Sequence, residues 1–186
     1  MNTRNGIIFL DVDGVLNSER WFQSEEYKSR RAYFSELYKD AIQNAERSEE
    51  DRYKAMIELK ETHIDPAPLA ELNRILTTCD LSIVLSSTWR IADFTRDALA
   101  EAGIDNWKDR FLGCTRRSRG GECRGDEIAD WVKENSYNGK FIALDDDSDM
   151  GPVMPHLIQT YWALGLTKKS ADKVVDYFGK PATVET

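Results

Sequence analysis

The sequence is poor in cysteine and contains no long apolar run. Its three cysteines, Cys79, Cys114 and Cys123, are an odd number without a CxxC spacing, which argues against a disulfide framework and against a zinc site. No run approaches the ~20 apolar residues that a membrane-spanning helix needs, and the apolar stretch at 7–10 is too short for a signal peptide. We therefore expect a cytoplasmic protein that does not enter a membrane.

The chain also has fewer basic than acidic residues. It carries 25 Lys or Arg against 33 Asp or Glu among 186 residues, a formal net charge of −8. This balance disfavours a surface that coats long nucleic acid, although it allows a local basic site. The hydrophobic and charged fractions, 41% and 31%, are typical of one globular domain with room for one insertion. Nothing in the sequence requires an obligate protein partner.

Three short apolar runs end in polar or acidic residues. The runs are IIFL at 7–10, LSIVL at 81–85 and FIAL at 141–144, and they lead into Asp11 and Asp13, into Ser86 and Ser87, and into Asp145, Asp146 and Asp147. Continuous apolar strands are typical of a parallel sheet that is covered on both faces. The runs therefore predict three buried parallel strands, each followed by a polar loop.

Helical patterns separate these strands. Apolar residues recur at helical spacing in 68–79 and 126–135, and a further strand at 157–161 precedes a closing helix at 170–178. Repeated βαβ units predict an α/β fold with a doubly wound, Rossmann-like parallel sheet. In such folds ligands bind beyond the carboxyl ends of the strands.

Residues 20–63 interrupt this alternation. They are predicted to form two long polar helices, and Ser48 with Asp51 resembles a capping box at the start of the second. We interpret 20–63 as a helical cap insertion and 1–19 with 64–186 as the catalytic core. The cap is either a lid over the active site or a solvated hairpin that only packs on the core.

The carboxylates at the strand ends predict a metal site. A single aspartate after a strand is often a turn or cap residue, but these strands end at one edge of the sheet, where their side chains converge. Crowded carboxylates repel one another, and a hard cation such as Mg²⁺ relieves that repulsion. The expected ligands are Asp11, Asp13, Asp145 and Asp146, while Asp147 and Asp149 are expected to be loop groups that could also reach the metal.

Four motifs resemble those of the haloacid dehalogenase (HAD) superfamily. DVDGVLN is similar to its first motif, IVLSS to the second, Arg124 in ECRGDEIADW to the third and IALDDDSDM to the fourth. The resemblance runs from Ile7 to Phe178. The set is most similar to small HAD phosphatase domains that are associated with RNA-repair proteins and phages.

The resemblance implies catalytic roles. Asp11 would be the nucleophile that forms an aspartyl-phosphate, and Asp13 the general acid and then the general base. Ser86 would donate a hydrogen bond to a phosphoryl oxygen, and Arg124 would hold the phosphate. The carbonyl of Asp13, with Asp146 and its neighbour Asp145, would bind Mg²⁺.

Two assignments stay open at this stage. Ser87 competes with Ser86, because the strand end can shift by one residue, and otherwise it is expected to bind substrate. A lysine is commoner than arginine in the third motif, so Lys133 and Lys140 compete with Arg124.

The segment 115–124 predicts the substrate class. Its Arg116, Arg117 and Arg119 are expected to bind phosphate groups beyond the scissile one, since guanidinium groups suit phosphate. A solvated loop is the alternative. Aromatic faces for a base are Trp21, Tyr27 and Trp89. The expected substrate is therefore a phosphorylated nucleotide or nucleic-acid end, with a phosphorylated small metabolite such as a sugar phosphate as the alternative.

Other activities fit less well. In the superfamily an aspartate at the position of Asp13 points to a phosphatase or a phosphomutase, and nothing in the sequence requires the water exclusion of a mutase. A metal-dependent nuclease or Toprim-like site would place its DxD after a later strand. A receiver-like module that binds phosphate or metal without turnover is a non-enzymatic alternative.

Overall fold

The structure is a computed structural model, and it describes residues 4–117 and 120–179. Five strands form one sheet, and every neighbouring pair is parallel. The strands are β1 (Ile7–Leu10), β2 (Ser82–Leu85), β3 (Phe111–Cys114), β4 (Phe141–Asp145) and β5 (Leu157–Gln159), in the order β3-β2-β1-β4-β5. The chain winds from β1 outwards to β3 and then returns to build β4 and β5 on the other side. This doubly wound α/β arrangement confirms the predicted fold class, and its switch point lies between β1 and β4.

Eight α-helices and two short 3-10 helices accompany the sheet in the described part of the chain. The helices are α1 (Glu19–Gln23), α2 (Glu25–Gln43), α3 (Glu49–Glu61), α4 (Pro66–Cys79), α5 (Asp93–Glu101), α6 (Trp107–Arg110), α7 (Arg124–Glu134) and α8 (Lys168–Gly179), and the 3-10 helices are Thr88–Ile91 and Gly151–His156. No helix of the described residues is long and apolar enough to cross a membrane.

Helices cover both faces of the sheet, as the continuous apolar strands require. Ile8 and Leu10 of β1 pack on one face with residues of α4 and α8, whereas Ile7 and Phe9 pack on the other with α7. All four side chains are fully buried, and each contributes about 2 kcal/mol by leaving water. This central strand therefore anchors the loop that follows it.

Strand register brings the predicted site residues to one level. Leu10 pairs with Leu85 of β2 and with Leu144 of β4, so Asp11, Ser86 and Asp145, the residues that follow, lie at the same edge of the sheet. Backbone pairing continues one step further, because the Asp11 N–H donates to the Leu144 carbonyl at 3.0 Å and the Ser86 N–H to the Leu10 carbonyl at 2.9 Å.

The predicted capping box begins α3. The Asp51 N–H donates to Ser48 Oγ at 3.1 Å, and the Ser48 N–H donates to Asp51 Oδ2 at 3.0 Å. On α3 the Tyr53 hydroxyl donates to Asp97 of α5 at 2.7 Å, which holds α3 to a helix that packs on the sheet. The division of the chain into a core and a cap stays a prediction.

Candidate active site

The loop after β1 carries both carboxylates of DVDGVLN. Gly14 has a φ of +74°, a left-handed conformation that glycine adopts without strain, so the chain turns directly after Asp13. The buried Asn17 side chain closes this turn, because its amide donates to Asp13 Oδ1 at 2.8 Å and its oxygen accepts from the Gly14 N–H at 2.9 Å. The Thr160 hydroxyl donates to the Gly14 carbonyl at 2.7 Å. Two parts of the chain thus fix the position of Asp13.

Asp11 lies in a buried, electrostatically mixed environment. Burial and then the neighbouring carboxylate of Asp145 raise its pKa to about 7, against the opposing effects of Arg124 and of a hydrogen bond with the Ser87 side chain. Only 5% of the residue is exposed. The charged form of this carboxylate therefore needs compensation from a neighbouring cation.

Asp145 and Asp146 complete an acidic cluster with Asp11. Each of the three offers one carboxylate oxygen, and these oxygens lie within 4.8 Å of one another. Burial raises the pKa of Asp145 to about 6, and it also raises the pKa of Asp146. One oxygen of Asp145, Oδ2, is buried without a hydrogen-bond partner among residues 4–117 and 120–179. Three converging carboxylate oxygens, beside a buried carboxylate oxygen that lacks a hydrogen-bond donor, fit a hard divalent cation such as Mg²⁺.

The other predicted ligand, Asp13, holds a different position. Its side chain does not belong to the three-carboxylate cluster found in the described chain. It accepts hydrogen bonds from Asn17 and from the indole N–H of Trp89, the latter at 3.1 Å to Oδ2. Two neutral donors thus orient this carboxylate, which lies close enough to Asp11 and Asp146 to raise the pKa of both.

Glycine is needed where the first and fourth motifs meet. A Cβ on Gly14 would lie 2.3 Å from Cγ of Asp146, so a side chain there would displace that carboxylate. The positive φ of Gly14 adds backbone strain to any substitution. The close approach explains why the turn after Asp13 and the acidic loop after β4 can share one site.

Arg124 begins α7 and points at the acidic cluster. Its Nη2 lies 3.7 Å from Asp11 Oδ1 and its Nε lies 3.8 Å from Asp145 Oδ2, while its Nη1 is buried without a partner in the described residues. Lys133 lies in the last turn of α7, and Lys140 precedes β4 at the opposite edge of the sheet. Of the three candidate cations, Arg124 is the one that the structure brings to the carboxylates.

Serines 86 and 87 have different surroundings. Ser87 follows β2 by two residues. Its hydroxyl lies near enough to Asp11 to lower the pKa of that carboxyl, and it accepts from the Trp89 N–H at 3.4 Å. Ser86 is buried and continues the backbone pairing with β1. The geometry thus favours Ser87 over Ser86 as the hydroxyl beside the candidate nucleophile.

The basic loop is largely engaged within the protein. The Arg116 guanidinium pairs with Glu122 at 2.6 Å and with Asp130, to which its Nε donates at 2.7 Å. Arg117 is exposed, whereas Arg119 lies outside the described residues. The internal ion pairs of Arg116 weigh against its predicted role in holding substrate.

Sequence patterns did not reveal a buried ion pair behind the site. Arg90 Nη2 lies 2.8 Å from Oε2 of Glu127, and both side chains are nearly inaccessible to solvent. The Nη1 of Arg90 also donates to the carbonyls of Ser86 and Ser87 at 2.8 and 2.6 Å. The pair therefore ties the loop that carries Ser87 to α7, which carries Arg124. Both residues lie inside motifs that the sequence singled out, SSTWR and RGDEI, but their pairing across 37 residues has no sequence signal.

Breaking the Arg90–Glu127 ion pair should lower both stability and turnover. We expect Glu127→Leu to cost about 3 kcal/mol of folding stability, because the buried Arg90 charge loses its partner. The double variant Arg90→Met with Glu127→Leu should recover most of that stability, since an apolar pair of similar volume replaces the ion pair. The kcat of the double variant should nevertheless be at least about tenfold below that of the wild type, because the carbonyls of Ser86 and Ser87 have lost the Arg90 donor. Thermal unfolding and steady-state kinetics measure the two effects, and a double variant with wild-type kcat would refute a positioning role.

The chain is similar to one known protein family and, more distantly, to a solved structure. Residues 7–171 match the family described as the HAD domain in Swiss Army Knife RNA repair proteins. A haloacid dehalogenase-like family hydrolase from Streptococcus pneumoniae has a distantly similar structure, with 13% sequence identity, a TM-score of 0.43, and coverage of 92% of this chain and 90% of that one. No curated protein matches the sequence. The family match spans all four motifs and the whole sheet, and the chain therefore belongs to the haloacid dehalogenase superfamily, within the family of HAD domains of Swiss Army Knife RNA repair proteins.

Proposed function

We propose that this HAD-family hydrolase is a metal-dependent phosphatase, which cleaves a phosphomonoester through an aspartyl-phosphate on Asp11. The observation that carries the proposal is the convergence of Asp11 with a hydroxyl, a guanidinium and two further carboxylates at the switch point of the sheet. A nucleophile, an anion-binding cation and a set of metal ligands are the groups that phosphoryl transfer requires.

The first step would form the covalent intermediate. A carboxylate oxygen of Asp11 attacks phosphorus as the bond to the leaving oxygen breaks, and Asp13 delivers a proton to that oxygen. The hydrogen bonds from Asn17 and Trp89 hold Asp13 in one orientation, which suits a group that must meet the leaving oxygen. Arg124 and the Ser87 hydroxyl would bind the phosphoryl oxygens as negative charge spreads over them.

The second step would release the phosphate. Asp13, now ionised, takes a proton from a water molecule while the water oxygen attacks phosphorus. The bond between phosphorus and Asp11 breaks, which regenerates the carboxylate and yields inorganic phosphate. The hydrogen bonds that hold the Asp13 carboxylate in place would allow the same group to act in both steps.

Asp11, Asp145 and Asp146 would hold Mg²⁺. When bound, the ion would offset the charge of the carboxylates and the phosphate, so that two anions can meet. Asp145 Oδ2 has no hydrogen-bond partner within the described chain, which suits an oxygen that would bind the metal. Arg124, at the start of α7, would supply further positive charge beside Asp11 and Asp145.

We propose a phosphorylated nucleotide or nucleic-acid end as the substrate class. The family takes its description from RNA repair proteins, which favours a phosphate on nucleic acid over one on a sugar. A sugar phosphate or another small phosphorylated metabolite is the alternative, and a screen of both classes separates them.

The proposal is tested by hydrolysis and by trapping. Purified protein with Mg²⁺ should release phosphate from p-nitrophenyl phosphate, and faster from 3′- or 5′-phosphorylated nucleotides or oligonucleotides than from sugar phosphates. Borohydride reduction during turnover should convert Asp11 to homoserine, which peptide mass spectrometry detects. Phosphate release without modification at position 11 would contradict the covalent mechanism, and inactivity on every phosphomonoester would contradict a phosphatase.

A further inference from the structure

A group of cationic and imidazole side chains lies on the inserted helices close to the site. The Lys60 ammonium at the end of α3 lies 3.7 Å above the ring centroid of Trp89. Arg31 of α2 lies 2.8 Å from His63, measured from Nη1 to Nε2. Lys60, Arg31 and His63 therefore form one cluster, which we call the cap cation cluster.

Neither cation of this cluster forms an ion pair within the described residues, and Asp13 is the acidic group that acts on Lys60 from a greater distance. Burial lowers the pKa of Lys60, and Asp13 opposes this effect while Arg31 adds to it. Burial, Lys60 and Arg31 together lower the pKa of His63 to about 4, so its ring is neutral at physiological pH and can accept from Arg31. Within residues 4–117 and 120–179, neither Arg31 nor Lys60 has a carboxylate within 4.0 Å. Two neighbouring cations that form no ion pair repel each other, and an incoming anion would relieve that repulsion.

The cluster lies on the leaving-group side of the site. Lys60 covers the face of the Trp89 indole, and the edge of the same indole donates its N–H to Asp13. One indole ring thus separates the ammonium from the carboxylate that would protonate the leaving oxygen. A substrate whose leaving oxygen meets Asp13 would extend beyond that oxygen towards Lys60 and Arg31.

Aromatic rings surround the cluster. His63 packs edge-on against Phe22, with ring centroids 5.6 Å apart, and against Trp89 at 6.2 Å. Trp162 lies 5.9 Å from Phe22 and is 46% exposed, so part of its ring is open to solvent. Such rings offer surfaces on which a nucleobase can stack.

We propose that Lys60, Arg31 and His63 form a second anion site, which binds a phosphate group of the substrate other than the one that is hydrolysed. The inference rests on the proposed phosphatase function and refines its substrate class. The occupant is a phosphate on the nucleoside that also carries the scissile phosphate. It comes either from a nucleoside bisphosphate or from the phosphodiester next to a phosphorylated end. Arg31 and Lys60 supply the charge, while His63 holds the Arg31 guanidinium in place.

Binding to a protein that cannot turn over tests the site directly. In the Asp11→Asn background with Mg²⁺, calorimetry compares thymidine 3′,5′-bisphosphate with thymidine 3′- and 5′-monophosphates. We expect the bisphosphate to bind about tenfold more tightly than the better monophosphate, because charge-assisted contacts to the second phosphate add affinity. The dinucleotide pTpT, with one terminal monoester and one diester, shows whether a phosphodiester gives the same gain.

Variants that remove one positive charge show which side chains cause the tighter binding of the bisphosphate. Lys60→Met keeps an unbranched stem over Trp89 but removes the ammonium, and it should bring the ratio of monophosphate to bisphosphate Kd close to 1. Arg31→Gln should act in the same direction and provides a second variant if the first is poorly folded. The matched control is Lys54→Met, which removes a lysine charge from the exposed side of the same helix, where Lys54 faces Glu58 at 3.9 Å. It should leave the ratio unchanged.

The outcomes separate this inference from the phosphatase proposal, since binding is measured without hydrolysis. Equal Kd values for bisphosphate and monophosphates, or equal effects of Lys60→Met and Lys54→Met, would overturn the second anion site even if the wild-type protein is an active phosphatase. A bisphosphate preference that only Lys60→Met and Arg31→Gln remove would support the site even if the wild-type protein is inactive on monoesters.

Discussion

Asp11→Asn is expected to reduce phosphatase turnover by at least about 10³-fold, because an amide keeps the shape of the side chain but cannot attack phosphorus. The substitution should leave the fold intact, since asparagine can still accept the hydrogen bond from Ser87. Steady-state hydrolysis of p-nitrophenyl phosphate measures the loss. The matched control is Asp176→Asn, which removes an exposed carboxylate on α8 and should keep the wild-type rate. Folded Asp11→Asn protein that retains more than a few per cent of the rate would rule out Asp11 as the nucleophile.

The same variant has an expected stability signature in the absence of metal. The folded-state pKa of Asp11, about 7, lies above its ordinary value, so the folded protein keeps a proton that the unfolded chain loses. Wild-type stability should therefore fall as pH rises from about 4 to about 7. Asparagine does not titrate, so in EDTA the variant should be more stable than the wild type at pH 7.5 by on the order of 2 kcal/mol, and this advantage should vanish near pH 4. Thermal unfolding at the two pH values measures the difference.

The buried half of the fold could be predicted from the sequence. β1, β2 and β4 are continuous apolar runs, and each predicted run begins or ends within one residue of the observed strand. The edge strand β3 (Phe111–Cys114) was not predicted. It is only half-buried, contains Gly113 at a φ of +124°, and shifts its register against β2, so neither apolar continuity nor alternation marks it. An apolar pattern in the sequence reflects burial, and an edge strand such as β3 is less buried, so its pattern is weaker.

Site residues that adjoin an apolar run could be predicted from the sequence, whereas contacts between residues far apart in the chain could not. The positions of Asp11, Asp145 and Asp146 could be anticipated because they come at the end of continuous apolar runs. The choice between Ser86 and Ser87 depends on how the chain leaves β2, and a strand end is uncertain by that one residue. Contacts between distant segments, such as those of Arg90 with Glu127 and of Lys60 with Trp89, require the fold.

The basic loop illustrates a further limit of sequence patterns. A run of arginines shows where charge is placed along the chain but not which partners balance it. Arg116 turns out to pair with Glu122 and Asp130, of which Asp130 is contributed by α7. Lys60 and Arg31, which form no ion pair within the described residues, lie instead on α3 and α2, and acidic residues stand between them in the sequence. Net charge along a segment is therefore a poor guide to the charge that a substrate meets.

Metal removal is expected to have an effect as large as loss of the nucleophile. EDTA should stop hydrolysis and Mg²⁺ should restore it, because Asp11, Asp145 and Asp146 cannot all be ionised beside a phosphate without a cation. Ca²⁺ should restore little activity, since its larger and looser coordination shell positions the reactants poorly. Full activity in chelator would exclude the metal-dependent mechanism.

Variants of the acidic loop connect this dependence to the described cluster. Asp146→Ala removes one of three converging oxygens, so we expect it to raise the Mg²⁺ concentration for half-maximal rate by at least about tenfold. Gly14→Ala should act in the same direction, because its Cβ would displace the Asp146 carboxylate. Mg²⁺ should also raise the Tm of the wild type more than that of Asp146→Ala, since a ligand that binds only the folded state stabilises it in proportion to its affinity. This second readout does not need turnover, so an unchanged Tm response in Asp146→Ala would show that the metal binds elsewhere.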